Sequence, residues 1–123
     1  DTIDILDAYI INLEIDFIVT GDTQYTPEQT LTDCLRTLNE KVTILPEIGE
    51  PFKIRDVYKV LNKLDSVLDV VEVRVSQKTG GVYSNNEYNI PINTTPDGAQ
   101  ILIPANMVYE IKILSTNIKG EIR

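Results

Sequence analysis

Ile11-Asn-Leu-Glu-Ile-Asp-Phe-Ile-Val19 decides the fold. Ile11, Leu13, Ile15, Phe17 and Val19 alternate with Asn12, Glu14 and Asp16, the period of a strand with one face on a core and the other in water. Gly21-Asp22 breaks the run. Before it, Asp1 to Tyr9 hold neither the strand nor the helix period. Residues 1–10 are therefore expected to be a linker or entry segment, and 11–123 one α+β domain. The chain opens at Asp1 with no initiator Met, basic n-region or apolar h-region, so it is expected to be a fragment of a longer polypeptide.

Thr26-Pro27-Glu28-Gln29 has the form of a helix start, with Thr as N-cap, Pro at the first helical position and Gln placed to close a capping box. The helix should run to about Val42, because Leu31, Cys34, Leu35, Leu38 and Val42 form one apolar stripe. Pro46, Gly49 and Pro51 make Thr43 to Pro51 a loop. A second helix is expected over Lys53 to Leu64. Ile54, Val57, Val60, Leu61 and Leu64 form its buried face, while Arg55, Lys59 and Lys63 line up at i, i+4 and i+8 outside it.

Val67 to Gln77 reads as the next strand, with Leu68, Val70 or Val71, Val73 and Val75 in a run dense in β-branched residues, and Gly80-Gly81 as the turn that ends it. Asn93-Thr-Thr-Pro-Asp-Gly98 suits a tight turn between Tyr88 to Ile92 and Gln100 to Ile103, so residues 82–105 are expected to form a protruding hairpin elaboration. A last strand is expected over Met107 to Leu114, followed by a short tail at Ile118 to Ile122. The order β-α-α-β-β implies two helices packed on one face of a small, largely antiparallel sheet, with the extra hairpin beside it.

At 123 residues and 42% hydrophobic composition, the chain buries one core without needing metal or disulfide staples. No apolar stretch approaches the roughly 20 residues of a spanning helix. The single cysteine, Cys34, excludes an internal disulfide and fits a small core hydrophobe in a reducing compartment. With no histidine, the commonest general base and the main nitrogen ligand of zinc are missing. The net charge of -8 disfavours nucleic acid and anionic membranes. Residues 1–50 carry eleven acids against Arg36 and Lys41, whereas residues 51–123 carry eight acids against nine bases. Two readings stay open: acids scattered for solubility, or a bipolar module that docks on copies or neighbours.

Candidate chemistry is thin. Asp1, Asp4 and Asp7 lack the alternating ligands and glycine of a calcium loop. Glu14 and Asp16 share a strand face, and acid-base work would need one of them desolvated in a cleft, with Tyr9 as a third member. Gly80-Gly81 has no phosphate-loop context, and Asn93-Thr94-Thr95 is a sequon by pattern alone. The basic cluster Arg55, Lys59 and Lys63 is the one candidate interface, either a solvated helix face or a patch that meets an acidic protein surface.

Three further stretches complete a pattern with Ala8 to Val19: Thr30 to Val42; Ile48-Gly-Glu-Pro-Phe-Lys-Ile-Arg-Asp-Val-Tyr-Lys-Val-Leu61; and Val67-Leu-Asp-Val-Val-Glu-Val-Arg-Val75. Over residues 11 to 76 this strand, helix, glycine-containing loop, helix and closing strand resemble the C-terminal part of the baseplate J-like family, the wedge subunits of contractile-tail bacteriophage baseplates. The resemblance implies a structural virion protein, assembled in the bacterial host cytoplasm and held in the tail baseplate by contacts with copies of itself and other wedge proteins. It implies no catalytic residues, cofactor, metal, nucleic acid, membrane or small-molecule substrate. The alternative expectation is a small acidic binding or inhibitor module directed at a basic protein.

Overall fold

In the computed structural model, which describes residues 10–42, 49–84, 86–112 and 117–123, the chain folds around one long strand. That strand is β1 (Ile10–Gly21), followed by α1 (Pro27–Val42), β2 (Phe52–Lys53), α2 (Ile54–Asn62) and β3 (Val67–Lys78). The one-turn helix α3 (Ile90–Asn93), β4 (Gln100–Ile101), β5 (Val108–Glu110) and β6 (Ile118–Ile122) complete it. The α+β class holds, with α1 packed against β6 and α2 against β3 beneath one sheet. The entry residues 1–9, the loop residues 43–48 and the end of the strand expected over Met107 to Leu114 lie outside the described residues.

The alternation of β1 is realised residue by residue. Ile11, Leu13, Ile15, Phe17 and Val19 are all at most 1% exposed; burying each contributes roughly 1.5–3 kcal/mol before the cost of ordering the chain. Antiparallel β3 forms one neighbour, from Asn12 opposite Lys78 to Gly21 opposite Val67. On the other side two short strands pair parallel to β1, β5 with Ile10 to Asn12 and β6 with Ile15 to Val19. The longest ladder is thus antiparallel as expected, and the sheet as a whole is mixed.

Two β-bulges set the face of β3. The register shifts between Ile18 and Val19 and again between Thr20 and Gly21, which leaves Val71 and Leu68 without partners on β1. Each extra residue shifts the phase by one, so Val67, Val70 and Val73 are buried at a spacing of three, while Leu68 and Val71 are exposed. Of Val70 and Val71 it is Val70 that enters the core, and Leu68 lies outside it. Mid-strand, the free edge of β3 is capped by α2, where the Val73 amide donates to the Tyr58 hydroxyl at 3.0 Å.

Helix α1 begins as expected. The Gln29 amide donates to Thr26 Oγ1 at 3.1 Å, and the Thr26 amide donates back to Gln29 Oε1 at 2.9 Å. Thr30 and Ser66, both buried, join this end of α1 to the turn before β3, with Ser66 Oγ donating to Asp33 Oδ2 at 3.1 Å. The second helix is shorter than Lys53 to Leu64. Its start is held by the segment after α3, since the Arg55 amide donates to the Ala99 carbonyl at 3.0 Å.

The expected hairpin is narrower and does not protrude. Asn89 and Pro91 turn residues 90–93 into α3, where the Ile92 amide donates to Asn89 Oδ1, so Tyr88 to Ile92 is not a strand. Thr94 bridges Ile101, and β4 then pairs with β2. Ile90, Ala99, Ile101 and Ile103 are buried, and Phe52 meets Tyr109 edge-on at 5.1 Å between ring centres. The segment closes the open end of the core.

One position fixes how β6 lies against β1. Phe17 is in register with Gly120, and a Cβ added at Gly120 would sit 2.0 Å from the Phe17 ring. Because that ring is buried and has nowhere to move, Gly120→Ala is expected to destabilise the fold by at least about 2 kcal/mol in urea titration. Gly80→Ala, with nothing within 4 Å of the added Cβ, should cost only the strain of its positive φ, about 1 kcal/mol. Removing the edge cap with Tyr58→Phe should cost about 1 kcal/mol. It should also speed hydrogen exchange at the Val73 amide selectively; unchanged protection there would show that the hydroxyl does not guard the edge.

Candidate interaction surfaces

The side of the sheet that faces away from the helices is built by the alternate residues of three strands. Across it, Asp16 of β1 lies between Arg74 of β3 and Lys119 of β6, and the next rank places Ile18 between Glu72 and Glu121. A shallow open depression lies here, floored by Phe17 and Gly120 and rimmed by these charged side chains. Arg74 reaches Glu72 at 3.0 Å along its own strand, and Arg123 reaches Glu121 at 2.9 Å. The Arg74 guanidinium is held further in its charged form, first by its hydrogen bond to Glu72 and then by the charges of Glu72 and Asp16.

Glu14, one of the two paired carboxylates, is held between two lysines. Lys78 Nζ stands 3.8 Å from one carboxylate oxygen and Lys119 Nζ 3.7 Å from the other, and Ser76 Oγ donates to it at 3.4 Å. The second member, Asp16, lies on the open face, and Tyr9 lies outside the described residues, as do Asp1, Asp4 and Asp7. Asn12, expected on the watered side, is buried. Its amide donates to Glu110 Oε1 at 2.9 Å and its oxygen accepts from the Ser84 amide at 2.6 Å, because the chain after β3 folds over this end of the sheet.

The basic series Arg55, Lys59 and Lys63 is carried along the exposed side of α2, with Lys63 just beyond its end. Arg55 lies near Asp97, whose carboxylate is held below its ordinary range by hydrogen bonds from Thr95 and Ala99 and, to a smaller extent, by Arg55. Lys59 and Lys63 make no ion pair among the described residues. The helix stripe is therefore exposed, on the opposite layer from the charged sheet face. The stripe is legible in the sequence and the face is not. The signal was present as Glu72/Arg74 and Lys119/Glu121, opposite charges two apart in extended runs, yet only the pairing partners reveal that the two pairs flank one strand.

Among the described residues no three or more His, Cys, Asp or Glu side chains group to hold a metal ion, and no helix is long and apolar enough to cross a membrane. Ile92 and Leu102 are exposed apolar residues, and the Leu102 amide donates to the Asn93 carbonyl at 2.8 Å.

Cys34 is fully buried, and its thiol is pushed up to about 11, first by burial and then by Asp33. Burial, followed by Glu50 and Asp56, pushes the Tyr109 hydroxyl up to about 12. The folded chain holds both protons more tightly than the unfolded chain does. The stability this confers is complete below about pH 9 and is lost as pH rises through the folded values. Urea midpoints should accordingly fall between about pH 9 and about pH 11, less steeply in Cys34→Ala, and the native thiol should resist alkylation at about pH 8 until the chain unfolds. Compared with family models, curated proteins and solved structures, the chain finds no match in any of the three.

Proposed function

We propose that this chain is an assembly domain of a contractile-tail baseplate wedge, a structural virion component that works by being held between other polypeptides. The observation that carries the reading is the division of labour within the sheet. One side is filled by α1 and α2, while the other carries ranks of charge around Ile18 in which Arg74, Lys119 and Glu121 are exposed. A second exposed surface, the basic side of α2, lies on the opposite layer. Two separate surfaces on a small rigid body suit a part that joins neighbours. Support also comes from the order strand, helix, helix, strand over Ile10 to Lys78, the order on which the resemblance to the baseplate J-like family rests.

On this reading the domain is no enzyme, its partners are other wedge proteins and copies of itself, and it resides in the tail baseplate after assembly in the host cytoplasm. The test is co-expression with the tail proteins encoded beside it. A complex that survives size-exclusion chromatography is expected, and Lys59→Glu with Lys63→Glu should weaken it about tenfold or more without moving the melting temperature. A chain that stays free of every one of those tail proteins would overturn the reading.

A further inference from the structure

The open sheet face carries a charge pattern that is its own complement. Arg74 and Lys119 form one rank across β3 and β6, and Glu72 and Glu121 form the next, on the same two strands that flank β1. A two-fold axis lying in the plane of the face, across the strands and between the two ranks, turns the cationic rank of one copy onto the acidic rank of the other. Arg74 then meets Glu72 of a second copy, Lys119 meets Glu121, and Asp16 lies over Ile18. An isologous dimer requires this property, that one patch match itself after a half-turn.

We propose that this face is the contact between two copies of the chain, which stack sheet on sheet with the helices outside. The inference rests on the assembly reading above and names one partner within it. Sheets packed face to face lie about 10 Å apart, a gap that opposed Arg-Glu and Lys-Glu side chains span. In the pairs within each copy, Arg74 with Glu72, Arg123 with Glu121 and Lys119 with Glu14, the three cations are 55–69% exposed, and the more buried Glu14 keeps Lys78 when Lys119 turns away. Exposed pairs of this kind contribute little to folding, so exchanging partners across the interface sacrifices little. Three strands about 4.8 Å apart, in register over the five residues Ile15 to Val19, offer roughly 250 Å² per copy. The total, roughly 500 Å², is below the range of stable specific contacts, so charge pairing rather than area has to hold the two copies together. The dimer is therefore weak and salt-labile.

Sedimentation of the chain at about 0.01 M and about 1 M salt, where the screening length is about 30 Å and about 3 Å, tests this directly. A concentration-dependent dimer is expected in the first and a monomer in the second. Glu72→Lys with Glu121→Lys makes both ranks cationic, and Arg74→Glu with Lys119→Glu makes both acidic. Each variant alone should be monomeric, and an equimolar mixture should recover the dimer. A wild-type chain that is monomeric at low salt and millimolar concentration, or a dimer untouched by both variants, overturns the proposal. A variant that fails to fold does not block the test. Amide shifts of the wild-type chain on dilution should move at Asp16, Ile18, Arg74 and Lys119 and stay fixed along α2; the reverse pattern equally defeats it. Failure here leaves binding to tail proteins through α2 intact, so the two readings fail separately.

Discussion

Everything in this molecule depends on the Phe17 ring lying over the bare Cα of Gly120. In a parallel pair the registered residues share a face, and a slip by one residue exchanges core for solvent along the whole strand. Gly120 admits the largest side chain of β1 at one register only. With that register set, Ile118 is buried beside Ile15, while Lys119 and Glu121 are turned outward beside Asp16 and Ile18. The packing constraint inside and the charge order outside are two sides of one contact.

The second constraint is at the other edge. A twelve-residue edge strand with free amides invites pairing with any extended chain. β3 is blunted by its two bulges, by the Tyr58 hydroxyl on the Val73 amide and by charged residues along its outer side. The bulges expose Leu68 and Val71, which is the local cost of bending the strand over α2. Contacts made sideways by strand addition are therefore discouraged, and contacts made through the flat of the sheet are left open.

How much of this was legible in the sequence depends on whether the signal was local. The β1 alternation and the Thr26/Gln29 capping box are complete within a few residues, and both appear as read. The phase of β3 was ambiguous because a bulge depends on its partner strand: nothing within Val67 to Lys78 says that Val71 has no counterpart on β1. Tyr88 to Ile92 failed for a different reason. Asn89 followed by Ile-Pro is a helix-start signal as well as a hairpin flank, and the turn won because it seats Ile90 in the core and delivers the Ala99 carbonyl to the start of α2. Asn12 lay on the side read as watered and is buried by a chain segment some seventy residues downstream, a contact no period reveals.

The charge asymmetry of the sequence shows why linear and spatial patterns must be kept apart. The acids of the first fifty residues suggested a bipolar body or an acidic decoy for a basic protein. Folding threads two of them, Glu14 and Asp16, through the middle of the sheet, between strands that carry the bases of the second half. Glu14 is held between Lys78 and Lys119, and Asp16 is flanked by Arg74 and Lys119. On this face the excess is neutralised where it is densest, and what remains is alternation from rank to rank. An acidic decoy needs a broad surface of one sign to compete for a basic target. Ranks of opposite sign a few ångströms apart instead reward one alignment and penalise its neighbours by like-charge contact. The open face thus carries information about orientation, which is what the proposed assembly role requires.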